Sequence, residues 1–202
     1  MRDPLQRLRA AASLLVLLCL AFGLTGCLSM KSYVDPALPV VVKADLPAVN
    51  TPAPVQILFE FRTKGNVNAA ATAEIKPRVV AAVAESGLFA TINDATHEGG
   101  VLNVVIDNVP LTDNAAAKGF GTGLTLGLAG SMVTDGYVCT ATYTRNGKAT
   151  AVTVRHALHS TIGNHAGPAN LQPMEPQAAI HKVMDQLVWN SLKQLADQHA
   201  FE

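Results

Sequence analysis

Asn146-Gly147 is the feature that most constrains the fold of this chain. The dipeptide stands between two runs rich in threonine, valine and tyrosine, Tyr137–Thr144 and Lys148–His156. A two-residue type I′ turn needs positive φ at both central positions, and Asn-Gly supplies them at the lowest steric cost. A turn of this kind makes Arg145 and Lys148 the first pair. Tyr143 then opposes Thr150, Ala141 opposes Val152, Cys139 opposes Val154, and Tyr137 opposes His156. These residues form a mostly apolar face. Thr144, Thr142, Thr140, Val138, Ala151, Thr153 and Arg155 make the opposite, largely polar face. A slip of one residue would mix the two sets, so turn chemistry and side-chain pattern specify one register.

The rest of the C-terminal three quarters supplies partners for this hairpin. Val55–Arg62 alternates, with Val55, Ile57, Phe59 and Phe61 on one face, and reads as a half-buried strand. Lys64-Gly65-Asn66 is a turn. Asn68 is placed to cap a helix over Ala69–Glu85, whose apolar stripe is Ile75, Val79, Val80 and Val83. Pro77 removes one helical hydrogen bond and crowds the preceding turn, which predicts either a kink or a late start near Pro77. Ser86-Gly87 ends the helix. Leu88–Ile92 and Val101–Val109 read as strands, with a polar turn over Asn93–Gly100. A last helix runs from about Pro176 to Gln198, burying Ile180, Val183, Met184, Leu187, Val188, Leu192 and Leu195, with Gln186 among the outward residues. The expected fold is α/β (α+β): a small, mainly antiparallel or mixed sheet of about 4–5 strands, covered by helices that include a long C-terminal one. Residues 55–202 form a single domain on this reading.

The N-terminal segment follows a different logic. Arg2, Arg7 and Arg9 precede an apolar run, Leu14–Leu20, and then small residues. The run falls short of the roughly 20 apolar residues that span a bilayer, which fits a secretion signal over residues 1–26. Its last residues, Leu24-Thr25-Gly26-Cys27, resemble the lipobox of bacterial lipoproteins. The resemblance implies a diacylglyceryl group on the Cys27 thiol, cleavage before Cys27, and acylation of the new amino group. Palmitate is the type of acyl chain expected. Leu28 and Ser29 follow, and neither is the aspartate associated with inner-membrane retention. This implies an outer-membrane lipoprotein whose domain faces the periplasm. Residues 27–54 carry Pro36, Pro39, Pro47, Pro52 and Pro54. They read either as a tether reaching about 80 Å when extended or as a meandering stretch packed on the domain.

Charge and cysteine usage narrow the function classes. The 202 residues carry no formal net charge, and only 15% are charged. Without the signal there remain 12 basic and 14 acidic side chains, so nothing favours nucleic-acid binding. Cys19 departs with the signal and Cys27 is consumed by lipid. Cys139 is left alone, which excludes an internal disulfide in the mature chain.

The least ordinary segment is glycine-rich and uncharged from Gly119 through Thr134. Its distinctive positions are Gly119, Phe120, Gly121, Gly123, Leu124, Gly127 and Gly130. A nucleotide loop does not fit, because the spacing misses the dinucleotide fingerprint by one residue and no Gly-Lys-Ser/Thr ending is present. Two readings stay open. The glycines allow close packing against a neighbouring element, with Leu124, Leu126, Leu128 and Met132 in the core. Alternatively the segment contacts membrane or neighbouring subunits. Phe120–Asp135, the strand Tyr137–Thr144, and Ser86-Gly87-Leu88-Phe89 are similar to segments of uncharacterised lipoproteins of Gram-negative bacteria. The strand–helix–strand–strand layout also resembles the small α/β domains of curli-secretion and Tol-associated periplasmic proteins. Neither resemblance brings active residues to this chain.

No chemical motif emerges. His97, His156, His159, His165, His181 and His199 lack metal-ligand spacing. His156 and His159 alternate to opposite faces of a strand. Convergence of His156, His159 and His165 through a turn is weighed against ordinary surface or edge histidines, and the latter is preferred. Ser131 lacks a nucleophile elbow, Asp107, Asp113 and Asp135 are not paired by spacing, and Cys139 is expected to be buried and inert. No catalytic, cofactor or metal site is expected. The leading expectation is a non-enzymatic envelope lipoprotein, anchored to the membrane by lipid, that binds another envelope protein or itself. No nucleic acid and no small-molecule substrate are expected. The alternative is an oligomeric, membrane-associated or pore-forming component using residues 119–134, and a third class is a hydrolase or ligand carrier.

Overall fold

The computed structural model describes residues 30–93, 99–111, 132–163 and 166–201. Seven strands and two α-helices follow one another as β1 (Met30–Val34), β2 (Val55–Thr63), β3 (Asn66–Val67), α1 (Ala69–Ser86), β4 (Ile92–Asn93), β5 (Val101–Pro110), β6 (Met132–Arg145), β7 (Lys148–Ile162) and α2 (Pro176–Asp197). The sheet order is β1-β7-β6-β5-β2-β3, with β4 beside β2. β2 and β5 run parallel and are joined through α1. The pairs β5–β6, β6–β7 and β1–β7 are antiparallel.

The β6–β7 hairpin has the expected register throughout, from Arg145↔Lys148 to Tyr137↔His156. Asn146 and Gly147 both hold positive φ, 51° and 75°. The strands continue well past the expected ends, and β6 starts at Met132. The apolar face is the core: Tyr137, Cys139, Ala141, Tyr143, Val152 and Val154 are buried together with Leu102, Val104, Ile106, Val55, Ile57 and Phe61. Both helices cover this face. α2 contributes Val183, Met184, Leu187, Val188, Leu192 and Leu195, and α1 contributes Ile75, Val79 and Val83. Arg78 bonds the Asp185 carboxylate and the His181 carbonyl, joining the two helices at their polar margin.

Several details differ from expectation. The sheet has seven strands among the described residues rather than 4–5, because β1 and the two-residue strand β3 add to it. α1 starts at Ala69, capped by the Asn68 side chain accepting from the Ala71 amide at 3.1 Å, and runs through Pro77 rather than starting near it. Pro77 lies on the exposed side of the helix. α1 exits through Gly87 at φ 74°. The strand expected over Leu88–Ile92 contracts to Ile92–Asn93, and Leu88 instead plugs the core from a turn.

The proline-containing stretch follows the packed reading rather than the tether reading. β1 pairs with β7 over five residues, Met30↔Ile162 to Val34↔Leu158. Its outer side is closed by Met174, which exchanges two backbone hydrogen bonds with Ser32. Leu38, Leu46 and Val49 pack against the core, and the Asn190 side chain donates to the Pro39 carbonyl at 2.9 Å. The prolines break regular structure without preventing burial of the apolar residues between them.

Candidate functional site

Cys27, the candidate lipidation position, and Gly119, Phe120, Gly121, Gly123, Leu124, Gly127 and Gly130 lie outside the described residues. So do His97, His165, Asp113 and Ser131. Their flanking residues are nevertheless placed. Met30, three residues after Cys27, opens β1 at one end of the sheet. Leu111 and Met132, on either side of the glycine-rich segment, lie at the same end, where the Leu111 amide donates to the Thr134 carbonyl at 2.9 Å. Ile162 closes β7 there as well. The chain thus brings the segment after Cys27, the bases of the β5–β6 connection and the end of β7 to one place.

Two faces of this end have different character. On the helix-covered face, Met30 opposes Ile162 and Val133 opposes Ser160. These three apolar side chains are 49%, 45% and 54% exposed respectively for Met30, Ile162 and Val133. One row deeper, Ser32 and Ser160 share a buried hydrogen bond between their hydroxyls at 3.1 Å.

On the other face a polar chain is sealed in. His159 is fully buried, with Nε2 3.1 Å from Asp35 Oδ2 and Nδ1 2.9 Å from Thr134 Oγ1. A carboxylate only accepts, so His159 Nε2 carries hydrogen and donates. Asp35 Oδ1 accepts from the Ala37 amide at 2.8 Å. Burial alone would raise the Asp35 pKa. The His159 hydrogen bond, the Ala37 amide and the nearby histidines outweigh burial and hold the carboxyl below its ordinary value of 3.8. The order hydroxyl–imidazole–carboxylate matches that of a nucleophilic triad, but Thr134, His159 and Asp35 are all closed to solvent. The arrangement serves to tie β1 to β7 and β6, because each residue comes from a different strand or its end.

His156 points to the opposite face, as alternation requires. Its Nδ1 accepts from the Ala157 amide at 3.0 Å, so the hydrogen sits on Nε2 and is donated to Gln186 Oε1 at 2.5 Å. Burial holds the His156 pKa below its ordinary value of 6.5 despite the Gln186 bond. Both histidines are therefore interior residues, which corrects the expectation of surface or edge positions. Gln186, expected outside, is buried as well. Its spacing carried the signal: Val183, Gln186, Leu187 and Asn190 stand at helical steps of three and four on one stripe. Nothing local pointed to Asp35, which is 124 residues from His159.

Cys139 is buried as expected, receives a hydrogen bond from Ser191 Oγ at 3.4 Å, and is pushed by burial up to about 11. A thiol so placed is no nucleophile at neutral pH. Among the described residues no group of three histidine, cysteine or acidic side chains is arranged to hold a metal. No helix among them is long and apolar enough to cross a membrane. At the far end of the sheet a cavity of about 440 Å³ is bordered by Val49, Asn50, Arg145, His199 and Phe201. It combines apolar and cationic walls.

No family model matches the chain, and no curated protein matches it. Among solved structures it is similar to a minor lipoprotein from Acinetobacter baumannii, at 15% identity and TM-score 0.44, covering 76% of this chain and 96% of that one. It is also similar to a PelC dodecamer subunit from Paraburkholderia phytofirmans, at 12% identity and TM-score 0.33, covering 82% and 96%. A third is the rare lipoprotein B from Shewanella oneidensis, at 16% identity and TM-score 0.28, covering 71% and 89%. None of these three is a curli-secretion or Tol-associated protein, and that resemblance is not carried further.

Proposed function

We propose that this chain is a non-enzymatic envelope lipoprotein. It is exported, cut before Cys27 and anchored by acyl chains on that cysteine to the outer membrane, with its domain facing the periplasm. Its work is to bind another envelope protein or further copies of itself. The observation that carries this reading is that Met30, three residues after Cys27, is already paired into the sheet with Ile162. A lipid on Cys27 therefore fixes a rigid sheet to the bilayer instead of dangling it on a long leash. Two or three acyl chains on one residue supply an anchor that a single chain does not, since each buried methylene contributes about 0.8 kcal/mol. The non-enzymatic part draws on the sealed interior. The described group closest to a reactive constellation, Thr134–His159–Asp35, is buried and mutually bonded.

Crosslinking in intact cells followed by affinity capture tests the interaction role. The expected result is a reproducible envelope protein, or a ladder of crosslinked copies, recovered with the lipidated chain and lost when Cys27→Ser releases it from the membrane. Recovery of nothing above background, together with a monomer in detergent, contradicts it.

A further inference from the structure

The apolar end of the sheet lies too close to Cys27 to stay away from a bilayer to which Cys27 is attached. Met30 is three steps along the chain from Cys27, and a chain reaches at most about 3.6 Å per residue, or about 11 Å in total. Met30 and Ile162 face one another across β1 and β7, and Val133 stands beside Ser160 one row deeper. All three share the strand parity of Leu158 and Val154, which are buried in the core, yet each remains roughly half exposed. They form the outermost apolar rows of the face that α2 covers further down. Among the described residues of β1, β6 and β7 on this face the first acidic side chain is Asp135, paired with Leu158 two residues below Val133, while exposed Glu175 follows Met174 at its bridge with Ser32. At about 3.4 Å of rise per residue Asp135 lies about 7 Å deeper. Lys31, exposed on β1 next to Met30, is placed to meet phosphate oxygens while its stem lies along apolar surface. An apolar tip about one to two strand rows deep, with a cation beside it, matches the depth of the headgroup–acyl boundary that interfacial elements occupy.

We infer that the Met30–Val133–Ile162 end of the sheet is a shallow bilayer-docking surface. It rests on the lipidation of Cys27 proposed above, which supplies the occupant: the phospholipid surface that carries the anchor. Docking fixes the orientation of the domain. The end bearing β1, the flanks of residues 112–131 and the last turn of β7 meets lipid. The Asn146-Gly147 hairpin and the C-terminal end of α2 point away into the aqueous space.

The test uses the full-length protein, expressed with its signal in a Gram-negative bacterium, purified from membranes and reconstituted into phosphatidylethanolamine–phosphatidylglycerol vesicles. A nitroxide is attached at Ile162→Cys in one sample and at Ala149→Cys, near the opposite end, in another. Both native residues are exposed, so neither label requires repacking. Flotation and intact mass establish anchoring and one label per chain. Collision with oxygen, which concentrates in lipid, is then compared with collision with a water-soluble nickel chelate. The expected result is an oxygen-to-nickel ratio severalfold higher at 162 than at 149. Equal ratios in protein that floats with the vesicles overturn the docking surface while leaving the anchor intact. Shielding of 162 from both reagents assigns the patch to a protein contact and also overturns it. Protein that fails to float, with an unmodified Cys27, overturns the anchor and the docking surface together.

Discussion

The ring of Tyr33 occupies the space that a side chain on Gly167 would need. A Cβ built on Gly167 comes within 2.1 Å of Tyr33 Cζ. The segment after β7 therefore lies directly on β1, and a glycine is what lets it approach. Gly167→Ala is expected to destabilise the protein by about 1–3 kcal/mol through overpacking. Tyr33→Leu introduced into the same chain relieves part of that cost, so the double variant is less destabilised than the sum of the singles. Urea denaturation of the four proteins checks this. Simple additivity would show that the two residues do not meet.

The Asp35–His159 contact holds the N-terminal strand to the sheet interior. Asp35→Ala leaves a buried imidazole nitrogen without its acceptor and is expected to cost about 3 kcal/mol. Thr134→Ser keeps a hydroxyl at the same place and is expected to cost well under that. Chemical denaturation of the two variants measures the difference. A near-neutral Asp35→Ala would remove the polar chain from the account of how β1 is held.

Acid acts on two groups in the same direction. The His156 pKa is lowered in the folded state, so the unfolded chain binds the extra proton first. Stability is then complete above the ordinary value of 6.5 and declines as pH falls through the folded value. Asp35 is lowered from 3.8, so its contribution is complete above about that pH and is lost on further acidification. Unfolding free energy measured from pH 8 to pH 3 is expected to fall in two stages, beginning below about pH 6.5. His156→Gln should flatten the first stage and leave the second. A profile that rises on acidification through this range would contradict the buried neutral assignment of His156.

Gly147 tests the hairpin without a packing term. No atom lies within 4 Å of a Cβ placed there, but its φ of 75° is costly for any residue with a side chain. Gly147→Ala is expected to lose about 1 kcal/mol with the native spectrum retained, read by thermal unfolding. Loss of cooperative folding would mean that the turn does more than set register.

The parts of this fold legible in the sequence were those fixed locally. Asn146-Gly147 determined a register of fourteen pairs, and Asn68 and Gly87 marked both ends of α1, because turn and cap chemistry depend on adjacent residues. What escaped was set by distant contacts. Met30–Val34 is a short edge strand without periodicity, and its partners on β7 are more than 120 residues away. The burial of His159 depends on Asp35, equally distant. The early start of β6 escaped because the expected strand began at Tyr137, although Gly136 pairs with both Val109 and Ala157. At the anchor-proximal end, Met30, Val133 and Ile162 stand far apart in the chain, and only the strand order brings them together.

Mass spectrometry of the protein taken from the membranes of its native cell tests the central claim most directly. The account predicts a mature chain beginning at Cys27, with a diacylglyceryl group on its sulfur and an acyl group on its amino nitrogen. An unmodified Cys27 thiol, with residues 1–26 still attached or removed at another position, would contradict it.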